Sequence, residues 1–395
     1  MNETSPALQR ALERLMRLHP HARMWGHGEV EAGRIEGESE DQSFISVFLY
    51  EHDITEHFRP LNGYNFIISN GFLSSHAYNL ALVWLQGLGD RALRRARLRH
   101  NFKKFYAETI LHTCDVMIGR ALLLETLAYE QELMAPIFDA AKADPNLDER
   151  ADTLALAMSS LAQHHELGHY FYRRAPAEFT SEMPKFLGGC LVPMLEDLKL
   201  QYADMHVEEV ICDGVAAHFG IFGDDKNRFS NTELTTRLRL TTFGLQAFYR
   251  LMDLKASACV TAKEYPDDAV AIELGSHIRP KYQPVYSIGH QPEVHIRSGA
   301  MTQVLSAFAE HYDLPLYGND GEFPLSPEVW EDFDHAFEHF GDEAPPGTLS
   351  HLGCDTRGRS IMRIVAEALS HHPDGTEHLL WRSKTFKQGN IPVDP

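Results

Sequence analysis

Residues 154–172 read LALAMSSLAQHHELGHYFY, and the rest of the chain is interpreted from them. Leu154, Leu156, Ala157, Leu161 and Leu167 make the stretch apolar enough for a packed α-helix, and His165-Glu166-Leu167-Gly168-His169 sits in its second half. Positions four apart on a helix share a face about one turn apart, so His165 and His169 can offer imidazole nitrogens to one metal ion. Glu166 stands one residue beyond the first of them, within reach of a water held by that metal. Two histidines and a glutamate do not normally occupy an apolar helix unless they are paired or metal-bound. Zinc is the expected metal, because it accepts imidazole ligands, keeps a position open for water and lowers the pKa of that water towards neutrality. The spacing therefore predicts hydrolysis, with a peptide bond as target and Glu166 as general base. The plain alternative is a chance match in a chain with 23 histidines. A further ligand is what separates the two.

Zinc on two imidazoles needs at least one more protein ligand. The best source is His206-Val207-Glu208-Glu209-Val210-Ile211-Cys212-Asp213-Gly214-Val215-Ala216. On a helix Glu209 and Asp213 share a face, so Glu209 can ligate while Asp213 accepts the far N–H of a ligating histidine and fixes its tautomer. Glu208 and His206 compete with Glu209 for the ligand role. Paired glutamates are usually solvated surface charges. Here Val207, Val210, Ile211, Val215 and Ala216 make the stretch largely apolar, which points its acids at something other than water.

The 395 residues suffice for one elaborate domain or two coupled ones, and 44% hydrophobic with 23% charged residues is ordinary for a globular protein. A net charge of −20 argues against a general nucleic-acid binder and against docking on anionic membranes. Five cysteines (Cys114, Cys190, Cys212, Cys259 and Cys354) are widely spaced with no Cys-x-x-Cys pair, which fits reduced thiols in a cytoplasmic protein. No basic segment followed by an apolar one stands near Met1, and no run of about 18 apolar residues occurs. Neither a signal peptide nor a membrane span is expected.

Outward from the central stretch, helical periodicity dominates. Ser5–Leu18 is amphipathic, with Leu8, Leu12, Leu15 and Met16 on one stripe, and a polar acidic stretch runs from Gly28 to Gln42. Ser43–Tyr50 reads as a buried strand; Tyr64–Ser69 reads as a second, bounded by the turn signals Asn62-Gly63 and Asn70-Gly71. His76–Leu98 reads as one helix, and Asn101–Ala143 as a longer helical region broken near Gly119 or Pro136. Asp144-Pro145-Asn146 breaks the pattern, with Asn146 or Asp148 as cap of the central helix. Further helices are expected over Leu195–Phe219, Asn231–Tyr265 and Gly299–Tyr312, with an irregular segment from Asp267 to His295 that could fold over a site. A helix from Pro327, capped by Ser326, carries a core stripe of Trp330, Phe333, Phe337 and Phe340, with Glu331, Asp332, Asp334 and Glu338 as its solvated face. A last helix is expected near Ile361–Leu369. The predicted fold class is mainly α with a small β-sheet, an α+β chain.

Together, His165-Glu166-Leu167-Gly168-His169 and Glu209-x-x-Cys212-Asp213-x-x-Ala216 resemble the gluzincin metallopeptidases, although Cys212 stands where Ala or Ser is usual. Within that group the chain is most similar to the HtpX-type peptidases and the soluble Lit phage-exclusion peptidase. Asn65-Phe66-Ile67-Ile68-Ser69 with Gly71-Phe72-Leu73 is similar to their edge strand and following turn. His290-Gln291-Pro292-Glu293-Val294-His295-Ile296-Arg297 is similar to their downstream His-Pro-Pro…Arg segment, with Gln291 in place of Pro and a spacing one residue longer.

The resemblance covers residues 60–310. It implies a zincin-like core with inserted helices around 90–145, and zinc held by His165, His169 and Glu209. Glu166 would serve as base, Asp213 would hold a ligand, and His290 would lead His295, Arg297, Tyr282 and Tyr286 as oxyanion donor. An edge strand at Phe66–Ile68 would take an extended peptide as an additional strand.

The chain is accordingly divided into an N-terminal helix and acidic linker (1–42), a metallopeptidase domain (43–315) and a C-terminal helical extension (316–395). The expected partner is a protein or peptide substrate. An open peptidase site in the cytoplasm would endanger its host, so a gate is expected in 267–297 or the extension, and a regulatory partner of unknown identity could work it. The competing reading is a non-catalytic zinc-containing regulatory or interaction protein. Glu166, which a structural zinc site does not need, favours the enzyme.

Overall fold

The computed structural model describes residues 5–20, 22–31, 43–50, 57–86, 90–114, 126, 129–130, 132–174, 204–223, 229–264, 294–318, 323 and 325–340. Four strands, β1 (Arg23–Glu31), β2 (Ser43–Tyr50), β3 (His57–Leu61) and β4 (Tyr64–Asn70), form one sheet in the order β1-β2-β4-β3. β2 and β4 run parallel, and the two outer pairings are antiparallel. Apolar residues fill both phases of the inner strands. Ile45, Val47, Leu49, Phe66 and Ile68 meet Ala11, Leu12 and Leu15 of helix α1 (Pro6–Leu18) on one face. Phe44, Ile67 and Ser69 are equally buried on the other face, where the Phe44 ring stands edge-on to Tyr170 at 4.8 Å. Strands covered on both faces lose the polar alternation of half-exposed ones, which is why these two read as continuous apolar runs.

The remaining helices are α2 (Gly71–Leu85), α3 (Arg91–Cys114), α4 (Ala135–Ala143), α5 (Pro145–Arg174), α6 (Asp204–Phe222), α7 (Asn231–Glu264), α8 (Val294–His311) and α9 (Pro327–Glu338). The chain is thus mostly helical with a small mixed sheet, as its periodicity predicts. Several boundaries differ from the sequence reading, and side-chain caps explain them. Asn70 Oδ1 accepts from the Phe72 N–H at 2.9 Å, so α2 starts at Gly71 directly out of β4. Asp90 Oδ1 accepts from the Ala92 N–H at 2.9 Å and opens α3 inside the span His76–Leu98, which the sequence reads as one helix weakened around Gly87 and Gly89. The cap of α5 is Asp144, whose carboxylate accepts from the Asn146 N–H at 3.1 Å, and not Asn146 or Asp148. Asp148 instead accepts from the Tyr78 hydroxyl. Leu156, counted as apolar packing in the sequence, is 59% exposed.

β1 and β3 were not legible as strands, and β4 is an inner strand lying between β2 and β3, not an edge. Among the described residues, β1 and β3 stand at the two edges of the sheet. Residues 23–31 therefore pair into the sheet rather than forming part of a linker. Among the described residues, no helix is long and apolar enough to cross a membrane.

Contacts divide the chain into two units, each discontinuous in sequence, unlike the three consecutive segments expected. The first comprises Met1–Ala77, Thr153–Tyr249 and Tyr286–Leu325; the second comprises Tyr78–Asp152, Arg250–Val285 and Ser326–Pro395. In the second unit Ser326 Oγ caps α9 through the Val329 N–H at 3.3 Å, and Phe333 and Phe340 are fully buried. Trp84 meets Trp330 and Phe333 edge-on at 5.0 and 5.6 Å. Asp332 is not part of a solvated face: it is 0% exposed and takes the guanidinium groups of Arg91, Arg94 and Arg95 from α3. A carboxylate can be buried so completely because each of its oxygens has a charged donor. The helix expected near Ile361–Leu369 and the expected gate at 267–293 lie outside the described residues.

Candidate metal centre

The site lies in the first unit, and a glycine sets it up. A Cβ on Gly168 of α5 would stand 2.9 Å from the Cα and 3.1 Å from the Sγ of Cys212 in α6, so the two helices meet nearly backbone to backbone. That approach brings Glu208, Glu209 and Asp213, within one turn of Cys212, opposite His165 and His169, within one turn of Gly168. It also explains why a cysteine fits where a smaller residue was expected: its partner across the contact has no side chain. Gly244 of α7 does the same on another side of α5, where a Cβ would meet the Met158 backbone nitrogen at 3.0 Å and Leu161 at 2.6 Å. Helix α8 packs along α6 and carries Arg297 into the same interior.

The two imidazoles stand edge-on at 4.8 Å between ring centres. One ligand atom each from His165, Glu166 and His169 lies within 4.8 Å of the others. Glu209 spans the two rings, with Oε2 3.4 Å from His165 Nε2 and Oε1 3.4 Å from His169 Nε2. The opposite nitrogens are held by other acids: Asp213 Oδ1 is 2.8 Å from His165 Nδ1, and Glu208 Oε1 is 2.8 Å from His169 Nδ1. Arg297 donates Nε and Nη2 to the two oxygens of Asp213, both at 2.7 Å, and lies with Nη1 3.1 Å from Glu209 Oε2. Its guanidinium carbon is 5.6 Å from the ring centre of Tyr249, itself 2% exposed.

The side chains of this interior are largely buried, and their charges are ordered by their partners. Burial works against an ionised Asp213, yet Arg297 and His165 hold its carboxyl well below the ordinary range. Burial likewise opposes an ionised Glu209, and hydrogen bonding to His165 with the charge of Arg297 brings its pKa down to about 2. Burial alone would depress His165, but Asp213 overrides it and raises the group to about 10. His169 goes the other way, lowered first by burial and then by the neighbouring His165 charge. The Cys212 thiol is pushed up by burial and by the surrounding acids, so it stays a neutral packing group.

A divalent ion fits these residues. Neutral N–H···O bonds cluster near 2.9–3.0 Å, and the 3.4 Å separations at Nε2 are longer than that. His165, Glu166 and His169 form a group whose ligand atoms could hold a metal ion, with the Glu209 carboxylate beside both Nε2 atoms. The Nδ1 contacts at 2.8 Å are ordinary charge-assisted hydrogen bonds of the kind that orient metal-ligating histidines.

Five residues singled out in the sequence, His165, Glu166, His169, Glu209 and Asp213, thus come together in one place. Glu208, a rival for the ligand role, sits at the far nitrogen of His169 instead. Arg297, a candidate oxyanion donor, has all three guanidinium nitrogens committed to Asp213 and Glu209 and acts as a brace. His290, Tyr282 and Tyr286 lie outside the described residues, as do the side chains of His206 and His295. Sequence reasoning missed Tyr249, which sits on a helix remote in sequence and carries no spacing signal. It also missed a polar pair beneath the helix, where Gln163 Nε2 donates to Ser69 Oγ at 2.8 Å. The chain matches no protein-family model, no curated protein and no solved structure.

Proposed function

We propose that this chain is a zinc-dependent metallopeptidase with a zincin-like core, in which His165, His169 and Glu209 would hold the metal. One observation carries the reading. Two imidazole nitrogens each lie 3.4 Å from the same carboxylate, and the side chain of Glu166 is grouped with them within 4.8 Å. Bound there, zinc supplies Lewis acidity towards a carbonyl oxygen and acidifies a water. The chain's own residues account for the rest. Glu166 takes the proton of the water that attacks the scissile carbonyl and delivers it to the departing amine. Asp213 Oδ1 stands at His165 Nδ1, where it would hold the ring proton and leave Nε2 free to serve as a ligand. Arg297 fixes the carboxylates of Asp213 and Glu209 in their ionised form. A carboxylate beside a ligand has no task in a purely structural zinc site, which favours catalysis over a non-catalytic zinc protein.

The test combines zinc analysis with proteolysis. Wild type and Glu166→Gln are expected to carry about one zinc per chain, and Glu209→Gln to bind it more weakly. Fragments should arise in a cell lysate with wild type only, because losing a general base costs about 10²–10⁴-fold in rate. Absence of zinc from every form overturns the reading. Equal fragmentation by wild type and Glu166→Gln overturns the catalytic part of it.

A further inference from the structure

Consecutive residues of α6 grip both nitrogens of one imidazole. Glu208 Oε1 lies 2.8 Å from Nδ1 of His169, and Glu209 Oε1 lies 3.4 Å from Nε2 of the same ring. Adjacent helix positions diverge by about 100° around the axis, so two neighbouring carboxylates embrace a ring only when it inserts between them. The Gly168–Cys212 approach permits this, because His169 follows Gly168 directly. The two contacts differ in kind. The shorter is a charge-assisted hydrogen bond, and the longer exceeds one. A neutral imidazole carries one proton. With that proton on Nδ1 and donated to Glu208, Nε2 presents a bare lone pair towards Glu209.

We propose, on the metal-centre reading above, that Glu208 is a positioning residue for the ligand His169. It selects the Nδ1–H tautomer, stops the ring from rotating and strengthens Nε2 as a donor. Asp213 serves His165 in the same way, and the Glu209-x-x-x-Asp213 spacing points to it; Glu208 lies outside that spacing. The side chains of His169 and Glu208 are only 12% and 19% exposed, so solvent screens the pair far less than a surface ion pair. The tilt of the ring is further limited by the edge-on His165 ring at 4.8 Å.

The test is competition between the full-length chain and a chromophoric zinc chelator, for wild type, Glu208→Ala and Glu208→Gln, each checked for folding by circular dichroism. Glu208→Ala is expected to bind zinc about 10–100-fold more weakly. Glu208→Gln, whose amide oxygen still accepts from Nδ1–H, should recover to within about threefold of wild type. Long-range ¹H–¹⁵N spectra of the metal-free full-length chain should find His169 protonated at Nδ1 in wild type and shifted towards Nε2 protonation in Glu208→Ala, a change that a merely space-filling Glu208 would not produce. Zinc binding by Glu208→Ala within about twofold of wild type overturns the proposal and leaves the metal centre standing. A His169 ring protonated at Nε2 overturns it as well, whether or not the alanine variant folds. A wild type that binds no zinc overturns the metal-centre reading and this proposal with it, so the two failures are distinguishable.

Discussion

Gly168 shows how a single residue controls the centre. At an open helical position alanine is favoured over glycine by about 1 kcal/mol. Here its Cβ would press on the Cys212 backbone, which cannot turn aside as a flexible side chain would, and overpacking of that kind costs about 1–3 kcal/mol. Gly168→Ala is therefore expected to lower the thermal midpoint and to weaken zinc binding, because the candidate ligands are divided between the two helices being pushed apart. Gly299 of α8 is exposed with nothing within 4 Å of its would-be Cβ, so Gly299→Ala should be neutral or slightly stabilising. Thermal denaturation of both variants checks this; an unchanged midpoint for Gly168→Ala would count against the close approach. At this scale the sequence was informative where residues share one helix. The His165/His169 and Glu209/Asp213 pairs follow from a period of four. Arg297, Tyr249 and the partner of Glu208 do not, because their meeting depends on how separate helices pack.

Elements declared themselves in the sequence according to how their stability arises. β2 and β4 are apolar in both phases because α1 covers one face of the sheet and α5 the other, and that composition is visible by itself. β1 contains Gly26, Gly28 and two glutamates, and β3 contains Pro60, so neither has strand character of its own. Both become strands by pairing onto edges that already exist, and Pro60 is tolerated because β3 is an edge. The β3–β4 hairpin turns on two residues, Asn62 and Gly63, with φ of 53° and 81°. A side chain at Gly63 would meet nothing within 4 Å, so its cost is backbone strain alone. Gly63→Ala should destabilise by about 1 kcal/mol in urea denaturation, with an unchanged slope. A value near zero would mean that the turn relaxes to another type.

Across the whole molecule the main misreading concerned charge. Asp332, on a helix rich in acids, belongs to the interior of the second unit, where three arginines converge on it. Burial opposes its ionisation, yet hydrogen bonds from Arg91, Arg95 and Arg94 hold its pKa below the ordinary 3.8. A carboxyl depressed in the folded state stabilises fully above its unfolded pKa and loses that contribution as pH falls through the folded one. The stabilisation from Asp332 should thus be lost only below pH 3.8, and the fluorescence of Trp84 and Trp330, compared between wild type and Asp332→Asn, would follow its loss. Asp332→Asn leaves guanidinium groups facing a neutral amide and should destabilise by less than the about 3–5 kcal/mol of breaking a fully buried pair, because Arg91 is 47% exposed. The deficit relative to wild type should shrink in acid. If the proposed metal centre binds zinc, its zinc content at neutral pH should stay at the wild-type level, because the candidate ligands belong to the first unit. A pH-independent deficit would show that Asp332 matters through packing rather than charge.

By itself the sequence determined the helical class, the two apolar strands, and the helix faces bearing His165, His169, Glu209 and Asp213, because each depends on periodicity within one element. Only the tertiary structure decided which strand is an edge, which acid faces which ring nitrogen, and that Arg297 braces the acids while Asp332 is buried. Those properties belong to contacts between segments distant in the chain. The chemical type of a residue limits its possible partners, and only packing selects among them.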